Sequence, residues 1–182
     1  MIKKISLFFL LLIPFSVSAL EKVKFDKCID GDTASFIYKN KQAKFRFLSI
    51  DTPESTTKIE KYGPEASDYT CKALKNASKI EIEFEENSSK TDKYDRYLVY
   101  VFVDGELLQE KLLYEGLADL KYDKNSYKYT DRLKEANKHA KDNFLGIYST
   151  KEYQEELEES FLGYLKKWSK ILLSYILKDL FD

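Results

Sequence analysis

The chain has 182 residues, 43% of them hydrophobic and 34% charged, with 30 basic side chains against 31 acidic ones. A net charge of −1 provides no global basic excess, so any recognition of a phosphate polymer has to be local or helped by a bound cation. One histidine, His139, and two cysteines leave almost no material for a histidine-rich zinc site, a His-dependent nuclease or a Ser-His-Asp triad.

Taken in chain order, MIKK is a short basic start, ISLFFLLLIPF is an apolar run too short to span a bilayer comfortably, and Val17-Ser18-Ala19 supplies the small residues a signal peptidase reads. Residues 1–19 are therefore expected to be a secretory signal, leaving 163 residues with a formal charge of −3. An uncleaved anchor is the alternative, opposed by Pro14 and the brevity of the run. Export makes a Cys28–Cys71 disulfide chemically permissible; two unpaired, partly buried thiols are the other reading.

KVKFDKCI (22–29) is short and mixed, and IDGDT (29–33) is a turn cluster. Residues 34–50 read as two strands joined at Lys39-Asn40-Lys41. GPEASDYTCKALKNA (63–77) opens with Gly-Pro and reads as a helix. KIEIEFEE (79–86) alternates strictly, which predicts a half-buried strand with Glu81, Glu83 and Glu85 on a solvated face. YLVYVFV (97–103) is a further strand, Asp104-Gly105 a turn into the predicted helix ELLQEKLLYEGL, and TDRLKEANKHAKDNF another helix, in which His139 is expected to face solvent or cap. Five short strands with a helix between the third and fourth is the order of an OB-type barrel, so the predicted class is α+β. The expected organisation is 1–19 signal, 20–149 barrel domain and 150–182 a helical tail. In the tail Phe161, Tyr164, Leu165, Trp168, Ile171, Leu172, Tyr175 and Ile176 share one broad helical face, with Lys166, Lys167, Lys170 and Lys178 gathered opposite. Packing on its own domain, self-association, or contact with a membrane surface through residues 153–181 all suit such a face, whereas its lysines oppose a spanning helix.

The polar residues at strand ends and turns carry the chemistry. Asp30 and Asp32 flank Gly31; Asp51, Thr52 and Glu54 follow the strand holding Arg46; Lys93, Tyr94 and Arg96 sit in a later loop. Two strand-end carboxylates plus a turn carbonyl are hard oxygen donors suited to Ca²⁺ completed by water. An arginine inside an apolar strand is costly unless something anionic meets it. Two arginines and a divalent cation suit a phosphodiester whose charge rises toward the transition state.

In combination, IDGDT, FRFLSIDTPE (45–54), EKYGPEAS (60–67), IEIEFE, TDKYDR (91–96), GLA (116–118) and LGIYS (145–149) resemble the staphylococcal nuclease (thermonuclease) family over residues 22–149. The resemblance implies a five-stranded OB-fold barrel with three helices and a Ca²⁺-dependent nuclease that cleaves the P–O5′ bond of DNA or RNA, leaving 3′-phosphates. It implies Asp32 and Asp51 as calcium carboxylates, the Thr52 carbonyl as a third ligand, and Asp30 as an acid behind them. Glu54 matches the glutamate that orients or deprotonates the attacking water, and Arg46 and Arg96 the pair that grips the scissile phosphate. Lys93 and Tyr94 match contacts to a terminal phosphate, and Tyr122 a tyrosine on which the base stacks.

Three features depart from the family pattern. The 54–62 loop is about three residues short, Asp95 stands where a glycine is usual, and Lys124 replaces a second stacking tyrosine. They bear on affinity and substrate preference more than on chemistry. The competing reading is an OB-fold binding module for nucleic acid or protein, catalytically weak or inactive. Retention of Arg46, Glu54, Arg96, Asp32 and Asp51 favours the enzyme. The expected location is outside the cytoplasm, periplasmic or secreted, with membrane association one of the alternatives that the tail leaves open.

Overall fold

The computed structural model describes residues 20–124 and 127–181, with side chains as far as residue 173. The predicted signal segment and the side chains of Tyr175, Ile176 and Lys178 lie outside the described residues. Among the described residues there are eight strands: β1 (Glu21–Cys28), β2 (Thr33–Tyr38), β3 (Lys41–Phe47), β4 (Ile50–Asp51), β5 (Ile80–Glu83), β6 (Tyr97–Val103), β7 (Glu106–Leu107) and β8 (Asp119–Leu120). They are joined by helices α1 (Gly63–Asn76), α2 (Leu108–Tyr114), α3 (Thr130–Asp142) and α4 (Lys151–Phe181). The five long strands run β3-β2-β1-β5-β6 with antiparallel neighbours, and a parallel β3–β6 pairing closes the ring. This is the closed, mixed barrel of an OB fold, with helices outside it.

Local residue choice accounts for the turns. Lys39 and Asn40 both take positive φ, the requirement of a tight two-residue hairpin, and set the register Tyr38↔Lys41. The segment read as one strand to residue 50 breaks at Ser49, which has φ +67°, while the Leu48 N–H donates to the Val99 carbonyl at 2.9 Å. Ile50 and Asp51 then pair with β8 instead. Similarly, Asp104 and Gly105 both take positive φ, so Glu106 and Leu107 fold back onto β6 and the helix predicted from 106 begins at Leu108.

Phe36, Phe45, Phe47, Ile82 and Tyr100 from the strands and Leu112, Leu113 and Leu133 from α2 and α3 form one buried cluster. Each such side chain contributes roughly 1.5–3 kcal/mol through removal of apolar surface from water. The GLA and LGIYS motifs prove to be a single packing feature. A Cβ on Gly116 or on Gly146 would overlap backbone atoms of the other segment, and the Ile147 N–H donates to the Gly116 carbonyl at 2.9 Å.

The expectation that Glu81, Glu83 and Glu85 form a solvated face is wrong. All three are buried, Glu83 almost completely. Glu83 accepts from Lys128 Nζ and the Tyr129 hydroxyl, both at 2.6 Å; Glu85 accepts from the Lys128 N–H at 2.8 Å; Glu81 pairs with Lys79 at 2.9 Å. Alternation told one face from the other, but segment 127–129 covers the face that alternation left polar. Glu83 and Glu85 thereby tie that segment to the barrel.

Cys28 at the end of β1 and Cys71 in α1 are joined in a disulfide. His139 is half-buried, stacked on Tyr114 with ring centroids 3.8 Å apart, and its carbonyl accepts from the Asn143 N–H that ends α3. Beyond the short turn Gly146–Ser149, α4 runs for 31 residues, and among the described residues no helix is long and apolar enough to cross a membrane.

Candidate active site

Strand period explains the position of Arg46. Phe45 and Phe47 enter the core, so Arg46 between them faces the other way, toward the Asp30–Asp32 turn and the end of β4. Thr33 lies opposite Arg46 across the β2–β3 pair, which places Asp32 beside it. The Arg46 side chain is 12% exposed and its guanidinium bridges two carboxylates: Nη1 meets Asp32 Oδ2, and Nη2 donates to Asp51 Oδ1 at 2.7 Å. Burial pulls the Arg46 guanidinium below its ordinary value; Asp51 opposes that shift, and the nearby positive charge of Arg96 adds to it.

The two carboxylates are otherwise well held. Asp32 accepts from the Thr52 N–H at 2.9 Å and the Thr33 hydroxyl at 2.9 Å. Asp51 receives a second cation, Lys121 Nζ at 3.0 Å, and that contact is the leading reason the lysine is held above its ordinary value. Lys121 follows β8, so the β4–β8 pairing brings it across from a position seventy residues away. Asp30 turns back to accept from the Gly31 N–H at 2.8 Å and the Ser55 hydroxyl at 2.5 Å.

Helix α1 supports this turn from beneath. The Thr70 hydroxyl donates to the Gly31 carbonyl at 2.6 Å, and a Cβ on Gly31 would come within 2.7 Å of Thr52 Oγ1 and 3.0 Å of the Ala66 Cβ. Only glycine allows Asp30 and Asp32 to sit this close to Thr52. Gly63 does the same for the next segment, since a Cβ there would overlap the Glu54 carbonyl. The Glu54 main chain is closed into a loop by hydrogen bonds with Glu60: N–H to Oε2 at 3.2 Å, and carbonyl from the Glu60 N–H at 2.9 Å.

Arg96 stands just before β6, whose parallel pairing with β3 sets Arg46 opposite Leu98. Asp92 holds it: Oδ2 accepts from Nε and pairs with Nη2, both at 2.7 Å, while Oδ1 accepts the N–H groups of Tyr94 and Arg96 at 2.8 and 3.0 Å. Burial pushes the Asp92 carboxyl up, but the Arg96 N–H and guanidinium and the Tyr94 N–H outweigh it and hold it below the usual carboxylate value. Asp95 takes φ +57°, the backbone that its place at a usual glycine requires. The exposed Tyr94 ring lies 5.0 Å from Lys93 Nζ and 5.4 Å from the Arg96 guanidinium carbon.

The structure thus brings together Arg46, Asp32, Asp51 and Thr52, with Arg96 in electrostatic range. Tyr122 is 75% exposed directly after Lys121. Among the described residues the exposed Glu54 carboxylate meets the Thr56 hydroxyl at 3.5 Å and stands apart from the ion pairs that join Arg46 and Lys121 to Asp32 and Asp51. Asp92, Lys121, Glu60 and Thr70 were not singled out from the sequence. Asp92 had a readable signal, an acid four residues before the arginine in a polar turn; Lys121 had none.

The donor set at Asp32, Asp51 and Thr52 fits a hard dication. Both carboxylates already converge on one cationic group, and the buried Thr52 hydroxyl beside them has no hydrogen-bond partner among the described residues. No three acidic, histidine or cysteine side chains gather into a metal cage among the described residues.

Sequence comparison agrees with this geometry. A family described as "Staphylococcal nuclease homologue" matches residues 44–150. Endonuclease YncB of Bacillus subtilis is 40% identical over 139 residues, 74% of this chain and 64% of that protein. The SPbeta prophage-derived endonuclease YokF is also 40% identical over 139 residues, 46% of its length, so the match spans less than two thirds of either Bacillus protein. Thermonuclease of Staphylococcus hyicus is 39% identical over 117 residues, 63% of this chain and 68% of that protein. With a closed barrel, a matching family over more than half its length and a thermonuclease covered across two thirds, this chain belongs to the staphylococcal nuclease family.

Proposed function

We propose that the protein is a Ca²⁺-dependent nuclease that hydrolyses phosphodiester bonds of DNA and RNA with little sequence preference and leaves 3′-phosphates. The observation that carries this reading is the convergence of Arg46 with Asp32 and Asp51 at a barrel rim that also carries Arg96, within a chain similar to proteins named thermonuclease and endonuclease. Arg46 and Arg96 bind the scissile phosphate and neutralise the charge that grows on it as water attacks phosphorus and the P–O5′ bond breaks. Glu54, whose side chain is free of the ion-pair cluster, accepts a proton from that water. Asp32, Asp51 and the Thr52 carbonyl would hold Ca²⁺, which would supply Lewis acidity to the reaction. Lys93, Tyr94 and Tyr122 form the outer contacts, with Tyr122 exposed enough for a base to stack on it. We further propose export through the 1–19 segment, which the Cys28–Cys71 disulfide supports.

The test is cleavage of single-stranded DNA and RNA by residues 20–182, with Ca²⁺ and with Ca²⁺ chelated, beside Glu54→Gln. Glu54 is the informative position because its carboxylate is exposed, whereas replacing Arg46 also strips buried Asp32 of its cationic partner and Asp51 of one of two. Calcium-dependent cleavage that falls at least a hundredfold in the variant, with an unchanged unfolding midpoint, supports the reading. A folded protein that binds oligonucleotide but cleaves under no divalent condition makes it a binding module.

A further inference from the structure

Lys121 stands at the candidate site but has no part in the reaction proposed above. Its N–H donates to the Ser49 carbonyl at 3.0 Å, which fixes the main chain just past β8 and beside the start of β4. Its Nζ meets Asp51 Oδ2 at 3.0 Å, while Arg46 Nη2 holds Oδ1 of the same carboxylate at 2.7 Å. Both oxygens of Asp51 therefore carry a cation.

Two plainer reasons for that contact do not suffice. Asp119 lies directly opposite Asp51 across the β4–β8 pair, and like charges so placed repel. Asp119, however, has partners of its own, the Tyr148 hydroxyl at 2.7 Å and Lys141 Nζ at 3.7 Å. Nor is Lys121 needed to orient Asp51. The β4–β8 pairing fixes that main chain and the largely buried Arg46 side chain grips Oδ1, whereas Lys121 is 49% exposed on a flexible stem and makes a poor clamp. What Lys121 adds is charge.

We propose that Lys121 is a charge-selecting residue of this site, weakening Ca²⁺ binding at Asp51 and strengthening binding of the substrate phosphate, a role that rests on the Ca²⁺ and phosphate binding proposed above. Asp32 and Asp51 carry two negative charges, and Arg46 and Lys121 return two positive ones. A dication arriving there finds no net attraction from these four groups. Calcium affinity follows the charge of the ligand set, so one cation fewer on Asp51 means tighter metal. For a phosphate the sign reverses. Arg46 and Lys121 sit on the two oxygens of one carboxylate, closer together than the Debye length of about 8 Å at physiological salt. A phosphate drawn to Arg46 thus also lies in the field of Lys121. Loss of this one charge should help one ligand and harm the other, whereas damage to the site would harm both.

The experiment uses residues 20–182, which contain the whole core, carrying Glu54→Gln so that an oligonucleotide stays uncut. Lys121→Gln and Lys121→Arg are each added to that background. Calorimetric titration gives the Ca²⁺ affinity, and anisotropy of a labelled single-stranded oligothymidylate, at Ca²⁺ saturating for every form, gives the phosphate side. Lys121→Gln is expected to bind Ca²⁺ about tenfold more tightly and the oligonucleotide about fivefold more weakly, with a salt slope shallower by about one. Lys121→Arg should match Lys121 in both. A pair this exposed contributes little to stability, so all forms should unfold at similar urea concentrations. Weakening of both ligands overturns the inference and makes Lys121 a support for Asp51. An unchanged Ca²⁺ or oligonucleotide affinity in Lys121→Gln overturns it too, leaving an ordinary surface ion pair. If no form binds Ca²⁺, the metal site itself is refuted and the inference falls with it, an outcome distinct from Ca²⁺ binding that ignores Lys121.

Discussion

Replacing both cysteines, Cys28→Ser with Cys71→Ser, tests whether the disulfide acts through the unfolded chain or through the site. The two residues are 43 apart in sequence, so the bond restricts a loop whose closure entropy amounts to about 4 kcal/mol at 25 °C. Against a domain stability of about 5–15 kcal/mol, that loss should lower the melting temperature by on the order of 10 °C. The site should change much less. The Thr70 hydroxyl still holds the Gly31 carbonyl and Ala66 still packs beneath it, so the Asp30–Asp32 turn keeps its support from α1. Urea unfolding at 25 °C gives the stability, and cleavage well below the transition gives the activity. A stability loss under about 1 kcal/mol would refute the loop-entropy reasoning. A folded variant without activity would mean that the bond positions the site and that Thr70 and Ala66 do not suffice.

Asp92→Asn leaves Arg96 without its charged partner and should lower kcat/KM by about ten- to a hundredfold, with about 1–2 kcal/mol of stability lost. Because the Asp92 carboxyl is held below its usual value, its contribution is present above about pH 4 and lost as pH falls through the folded value; urea midpoints of parent and variant should therefore converge on acidification. Glu83→Gln should cost about 3 kcal/mol by removing the charge that Lys128 and Tyr129 share, where a solvated glutamate would cost almost nothing. Arg46→Gln should tighten Ca²⁺ binding, read by calorimetry, by at least about tenfold even as cleavage falls, since it removes a positive charge from between the two carboxylates. Burial raises the Tyr100 and Tyr148 phenols, so the folded protein retains protons that the unfolded chain releases; stability should fall above about pH 10 by up to about 1.4 kcal/mol per pH unit for each, and Tyr148→Phe should reduce that slope.

The sequence was most legible where one short-range pattern decides the outcome. Phe45-Arg46-Phe47 tells which way Arg46 faces because a strand repeats every two residues, and Gly63-Pro64 opens α1 as expected. Glu81-Glu83-Glu85 shows the limit of the same rule. Alternation separates the faces of a strand but does not say what lies on each, and the covering segment is some 45 residues downstream. Lys121 was invisible for the same reason, since it meets Asp51 only because β8 pairs with β4. The break at Ser49 carries no glycine or proline to mark it; tertiary hydrogen bonding to Val99 and Asp123 sets it.

The ion pairs at the barrel rim bear on why recognition here should depend on a cation. Arg46 and Lys121 are matched by Asp32 and Asp51, and Arg96 by Asp92. Three cationic groups thus face three carboxylates, and Asp30 and Glu54 add further negative charge nearby. Such a rim offers little net attraction to a phosphodiester, in keeping with a chain that has no basic excess. In the proposed reaction Arg46 can turn to a phosphate only when Asp32 has another cation to neutralise it, because an unpaired buried carboxylate costs several kcal/mol, whereas Asp51 keeps Lys121. Substrate affinity and Ca²⁺ occupancy should therefore be coupled through Arg46 itself. Removing that arginine should leave oligonucleotide binding weak and nearly indifferent to Ca²⁺, whereas removing Glu54 should leave the coupling intact and abolish only the cleavage.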